Sequence, residues 1–299
     1  MDNFALIAIA IIVGYTLQKF KIFPKETPLI LNQFIIYVSL PAIILMQVPK
    51  LSFSFDILIP TFIAWFVMGI TALLVILISK YLKWSNEVTG SLMLVAILTN
   101  SSIMGIPIIN AYLGEEALPY VLIYDQLGTF IALATYGTFV TAYYSSKSHI
   151  NSRVIIQKVL TFPPFLSLIV ALCFLGVEFN PLITSVLSKF SSTLVPVALV
   201  AVGLQLQFKV PRDEIQPLSI ALIIKLIIAP IIAYIICYCF GWLNLAGITS
   251  IFEAAMAPMI TAGAIASIAG LAPRLSTAIV GYGIIISFIT TAILFKLLG

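Results

Sequence analysis

The residues with the most chemical potential are gathered in Leu98-Thr99-Asn100-Ser101-Ser102-Ile103-Met104-Gly105-Ile106-Pro107-Ile108, inside an apolar segment over residues 89–113. Asn100, Ser101, Ser102, Gly105 and Pro107 fall within eight positions. Pro107 has no N–H for the carbonyl one turn back, and its ring crowds that turn. Gly105 adds backbone freedom, and the short polar side chains compete for backbone groups with the helical ladder. In hydrocarbon, freed backbone groups are tolerated only where they are buried in protein or line a wet cavity. The stretch therefore reads as a broken helix at a binding site. A Pro kink packed against its neighbours is the plainer alternative.

A second interruption lies in Ile251-Phe252-Glu253-Ala254-Ala255-Met256-Ala257-Pro258-Met259-Ile260-Thr261-Ala262-Gly263. Pro258 stands among small residues, which let another backbone approach closely. If the two broken segments cross, four half-helix ends meet near the membrane midplane. N-terminal ends offer unpaired N–H groups and the positive end of the helix dipole, which suit an anion. C-terminal ends offer carbonyls, which suit a cation. Such a site can take an anionic substrate together with Na⁺ or a proton.

Four ionisable residues lie within apolar segments: Asp125, Lys189, Lys225 and Glu253. At the membrane centre each costs about 2.5–3.5 kcal/mol on insertion scales, so each calls for a reason. Glu253, five residues before Pro258, falls in the last turn of its half-helix. A carboxylate there opposes the dipole and prefers a proton or a bound cation, which makes Glu253 the leading coupling residue; the alternative is a hydrogen-bonded structural carboxyl. Lys225 is either a substrate counter-ion or a fixed cation paired with Glu253 or Asp125. Asp125, with Gln126 and Thr129 close by, either faces the breaks or sits nearer the outer headgroups. Lys189 is near enough to a span end to snorkel. Tyr37, Gln47, Gln205 and Gln207 are explained by helix–helix hydrogen bonds as well as by substrate.

Bond-making chemistry finds little support. His149 is the single histidine and lies in a polar loop. Cys173, Cys237 and Cys239 all fall in apolar segments without metal-ligand spacing, and read as small core residues. No nucleophile–base pair or metal cluster is expected within the spans, so an enzyme is not.

The elements that must position these groups are membrane helices. The chain is 62% hydrophobic with 9% charged residues, and its mean hydropathy is +1.17; soluble domains carry roughly 25% charged residues. Ten spans are expected, at residues 3–18, 27–48, 55–79, 89–113, 117–144, 162–177, 182–207, 215–240, 245–270 and 274–298. The first opens with Asp2 and has no basic flank or cleavage site before Lys19, so it reads as a span that stays and no signal peptide. Loops after odd-numbered spans hold 11 of the 15 basic residues, among them Lys19, Lys21, Lys25, Lys80, Lys83, Lys147, Arg153, Lys158, Lys209, Arg212 and Arg274. By the positive-inside rule both termini face outside and the central linker faces the cytoplasm of a cell-membrane protein. The net charge of +4 is thus a topology signal and no hint of nucleic acid.

The halves share landmarks: Ile22-Phe23-Pro24 with Phe179-Asn180-Pro181, Leu40-Pro41 with Val195-Pro196, and Pro107 with Pro258, at offsets of 157, 155 and 151 residues. Five spans per half is odd, so the halves would sit in opposite orientations. Residues 1–145 form the first five-helix repeat, 146–158 the linker and 159–299 the second, inverted repeat. Interruptions at matching places in inverted repeats are a transporter signature.

These residues resemble the auxin efflux carrier family, its bacterial members in particular. The resemblance runs through Val38-Ser39-Leu40-Pro41-Ala42, Asn100 to Pro107, Val195-Pro196-Val197-Ala198-Leu199, Gly203-Leu204, Lys225 with Pro230, Ala255-Met256-Ala257-Pro258 and the closing helix at 277–298. It implies an all-α membrane fold of ten helices in two inverted repeats, shared with bile acid:sodium symporters, with the fourth and ninth crossing at their breaks. It also implies a scaffold of spans 1, 2, 6 and 7, dimeric in many members, and a core of the remaining spans that moves elevator-fashion. Family substrates are carboxylates: auxin in plants, small acids such as malate or malonate in bacteria. Ser101-Ser102 stands where a Thr-Gly type pair is common, and the linker is shorter than in plant carriers.

The expected activity is secondary transport of a small organic anion, with H⁺ or Na⁺ as the coupled ion and no other cofactor. The expected substrate contacts are Asn100, Ser101, Ser102, Gly105, Pro107, Lys225, Met256, Pro258 and Thr261; the expected ion-coupling residues are Glu253, Asp125 and Thr129. A channel or a substrate sensor on the same scaffold is the alternative, and the partners are the substrate, the bilayer and a second copy of the chain.

Overall fold

A computed structural model describes residues 2–24, 26–50, 55–145, 160–205 and 214–298. Those residues form twelve helices: α1 (Asp2–Lys19), α2 (Thr27–Lys50), α3 (Phe55–Leu82), α4 (Asn86–Val95), α5 (Ser101–Leu113), α6 (Glu115–Tyr144), α7 (Pro163–Cys173), α8 (Pro181–Gln205), α9 (Ile215–Phe240), α10 (Leu245–Ala254), α11 (Ile260–Ile268) and α12 (Pro273–Leu298). Six of them, α2, α3, α6, α8, α9 and α12, are long and apolar enough to cross a membrane. Their outer faces are apolar at helical spacing, as with Phe62, Phe66, Leu73 and Leu77 on α3 or Ile223, Ile227, Ile231 and Ile235 on α9. Such side chains are stable facing lipid. The linker at 146–158, with His149, Lys147, Arg153 and Lys158, lies outside the described residues, as do Lys25, Gln207, Lys209 and Arg212.

The fourth and ninth expected spans are each two helices. Ser85 caps α4 by accepting from the Val88 N–H, and Asn244 caps α10 by accepting from the Gly247 N–H. At 1.5 Å per residue, a ten-residue helix reaches about 15 Å, half the thickness of the hydrocarbon core. Neither α4 nor α10 is long enough to cross by itself. The position of the first break differs from the expectation built on Pro107. Helical winding is lost at residues 96–100, and Pro107 lies inside α5. The turn before it, Ser101–Gly105, is π-wound, and Pro107 begins the α-helical part at a first-turn position, where a missing N–H costs little.

Packing divides the helices into two groups. α1 lies against α8, and α2 against α7 and α8; α3, α4, α6 and α9 to α12 pack chiefly on one another. At the α1–α8 crossing Gly14 and Gly203 bring the two backbones together so closely that a Cβ on either would meet the other's main chain. α5 touches both groups, lying against α1 and α8 on one side and α6 and α10 on the other. The sixth span is shorter than expected: α7 stops at Cys173, and Gly176, at φ +74°, turns the chain so that its N–H reaches Pro49 O at 2.8 Å. Of the three cysteines only Cys237 is buried; Cys173 and Cys239 are exposed on helix faces, which corrects their reading as core residues. Tyr37 likewise lies on the outer surface, and Lys189 is exposed as expected.

Candidate functional site

The two breaks cross. Asn100 N–H donates to Ala257 O at 2.9 Å, and Met259 N–H donates to Leu98 O at 3.0 Å, which makes an antiparallel bridge between Thr99 and Pro258. Each interrupted segment thereby satisfies backbone groups that its own helix has released. Four helix ends abut the bridge: the C-termini of α4 and α10 and the N-termini of α5 and α11. Gly283 of α12 makes room for the ring of Pro258, since a Cβ there would overlap it.

Lys225 reaches this bridge from α9. It sits in a π-wound turn, Ile224–Ile228, is 1% exposed, and donates from Nζ to Thr99 Oγ1 at 2.6 Å and to Ala254 O at 3.2 Å. The ammonium therefore closes the C-terminal end of α10. It makes no ion pair among the described residues, so the expected pairing with Glu253 or Asp125 is not a direct one. Glu253 and Lys225 nevertheless feel each other's charge, and Asp125 bears on Glu253 as well.

Asp125 faces the crossing, which decides between its two sequence readings. Ser101 Oγ donates to Oδ1 and Gln126 Nε2 to Oδ2, each at 2.5 Å. Asp125, Gln126 and Thr129 share the π-wound stretch Tyr124–Phe130 and are buried. Such wide turns are frequent at functional sites because they aim side chains off the regular helical face.

Glu253 is fully buried, and among the described residues neither carboxylate oxygen has a hydrogen-bond partner. Its Oε1 lies against the Cα of Gly105, where a Cβ would overlap it. Two more buried polar atoms are orphaned at the same place, Asn100 Nδ2 and Gln126 Oε1. An unmet buried polar group costs about 1–3 kcal/mol and a charged one more.

The other expected residues divide. Met256 and Pro258 are buried in the crossing, and Pro107 is buried one turn into α5. Ser102 is half-buried and Thr261, in the first turn of α11, is exposed. Thr261 is thus not gathered with the orphaned atoms; it stands where an N-terminal turn opens to the outside of the protein body. Thr99 and Tyr124 were missed. Thr99 accepts from Lys225, and the buried Tyr124 side chain lies near Thr99 and Glu253. Thr99 belongs to the polar run around Asn100 and could have been found there; Tyr124, one aromatic in an apolar span, gave no signal. Gln205 bonds only within its own helix, to Ala201 O. Gln47, buried on α2, lines a cavity of about 360 Å³ together with Lys50, Glu115, Glu116, Pro119, Tyr120 and Leu245, between the panel and the core.

Comparison with known proteins agrees with this architecture. The chain is 29% identical over 221 residues to an uncharacterized transporter of Methanocaldococcus jannaschii, with 70% of each chain covered. It is 23% identical over 272 residues to an uncharacterized transporter of Methanothermobacter thermautotrophicus, covering 87% of this chain and 85% of that one. The profile of a family described as membrane transport protein matches residues 1–295. A multi-pass helical chain whose two broken helices cross beside buried charges thus belongs to the membrane transport protein family, that of the auxin efflux carriers.

Proposed function

We propose that this protein is a secondary carrier of small organic anions, carboxylates by preference, moved with H⁺ or Na⁺ as the coupled ion. The observation that carries the reading is Asn100 Nδ2, a buried donor with no partner, set at the start of α5 beside the bridge. The first-turn N–H groups of α5 and α11 lack partners within their own helices, and the dipoles favour negative charge there. A carboxylate would meet all of these donors. The charge balance argues for a coupled cation. Asp125 and Glu253 against Lys225 leave one net negative charge when all three are ionised, and an entering anion would add to it in a medium that weakly screens charge. A proton or cation arriving on Glu253 removes that repulsion.

In this reading the two halves are inverted repeats, the core of α3 to α6 and α9 to α12 moves against a panel of α1, α2, α7 and α8, and the panel is held by a second copy. Both termini face away from the cytoplasm. Binding is tested by thermal unfolding of purified protein with a panel of mono- and dicarboxylates. At least one acid is expected to raise the midpoint saturably, and Asn100→Ala should remove that shift while the apo midpoint stays. A shift unchanged in the variant would take the crossing out of the mechanism.

A further inference from the structure

The end of α10 is a cation site with its cation tethered. A helix leaves its last carbonyls unmet and its C-terminus negative. At α10 the Ile251 and Phe252 carbonyls accept from Ala255 N–H, and the Glu253 carbonyl accepts from Met256 N–H. That leaves Ala254 O, and its partner is Lys225 Nζ. Thr99 Oγ1 completes the contact from the other broken segment, and the buried Glu253 carboxyl, neither oxygen of which has a hydrogen-bond partner among the described residues, belongs to the residue just before Ala254. A carbonyl, a hydroxyl and a carboxylate at a half-helix C-terminus are the oxygen donors that suit a small hard cation such as Na⁺.

We infer that the Lys225 ammonium occupies the place that Na⁺ would otherwise take at this crossing, and that the carrier therefore runs without Na⁺ there. The coupled ion in the proposed transport is then a proton. Lys225 acts as a specificity-determining residue: it blocks the site by volume and cancels its charge, and the long stem keeps it from leaving with the substrate. Removing the side chain frees Thr99 Oγ1 and Ala254 O, the latter on the residue next to Glu253. Other charged or titratable groups facing the site are Asp125 and Tyr124, both from α6. The inference rests on the carrier reading for its transport consequence, but the ion site is testable without any substrate.

The test is ²²Na⁺ binding to purified protein, with thermal unfolding in NaCl against choline chloride at constant ionic strength. Wild type is expected to show no saturable ²²Na⁺ binding and no Na⁺-specific shift. Lys225→Ala should gain both, and Lys225→Ala with Thr99→Ala should lose at least tenfold in Na⁺ affinity. Lys225→Met, which fills most of the volume without the charge, covers the case in which the alanine variant does not fold; it should bind less Na⁺ than Lys225→Ala but respond where wild type does not. Saturable Na⁺ binding to wild type that is lost in Glu253→Gln would overturn the inference. So would folded Lys225 variants with no Na⁺ response. Neither result depends on finding a transported acid, so failure here and failure of the carrier reading are separable.

Discussion

Gly105→Ala probes the contact between the two broken helices directly. An added Cβ would fall inside the radius of Glu253 Oε1, with Cδ and Oε2 both at 2.9 Å. The neighbour is the buried end of the Glu253 side chain, which must shift to admit the methyl group. Overpacking of this kind costs about 1–3 kcal/mol. Replacing Gly by Ala inside a helix returns about 0.5–1 kcal/mol, so the net change runs from nil to a loss of about 2.5 kcal/mol. Gly69→Ala is the matched control. That glycine is in mid-α3, and an added Cβ there has nothing within 4 Å, so the same substitution should stabilise by about 0.5–1 kcal/mol. Thermal unfolding in nanodiscs reads the sign of each change, and the cycle with Glu253→Ala reads their coupling. Contacting residues show coupling of about 0.5–3 kcal/mol, so Glu253→Ala should relieve most of the Gly105→Ala penalty. A Gly105→Ala protein stabilised as much as Gly69→Ala, or a difference between the two that Glu253→Ala leaves untouched, would refute the packing of Glu253 on Gly105.

Three further outcomes follow from the same contacts. Ser101→Ala removes one of the hydrogen bonds to the buried Asp125; it should lower stability by about 1.5–3 kcal/mol, and Asp125→Asn in that background should restore part of the loss in a thermal-unfolding series. Glu253→Gln should fold and bind carboxylate, but uptake into proteoliposomes should no longer change between acidic and neutral buffer; full retention of the pH response would move coupling to Asp125. Gly14→Val or Gly203→Val drives a side chain into a facing backbone and should cost about 1–3 kcal/mol, seen as a lowered unfolding midpoint, whereas unchanged midpoints would mean that α1 and α8 are not in close contact.

Much of this architecture was legible because the membrane makes polar residues expensive. Asn100, Asp125, Lys225 and Glu253 stood out against apolar spans, and the structure brings all four to one crossing. The pairing of the two breaks was legible from proline and small residues in matching segments. The point of rupture was not: proline reports a missing donor, yet the helix unwinds upstream of Pro107, where Leu98 and Asn100 bond to the facing segment instead. The π-wound turns were also hidden, because the packing that widens a turn lies on other helices. Asp125 and Lys225 owe their direction to those turns. Gly283 had no local signature, since its reason is the ring of Pro258 in a different helix.

The central claim is that the crossing is the substrate site of a coupled carrier. It is tested most directly by currents on a solid-supported membrane, from proteoliposomes challenged with a panel of organic acids, for wild type and Asn100→Ala side by side. The account predicts saturable currents with at least one acid in wild type and none in Asn100→Ala reconstituted to the same density. Currents that rise without saturation, or that survive intact in Asn100→Ala, would contradict it.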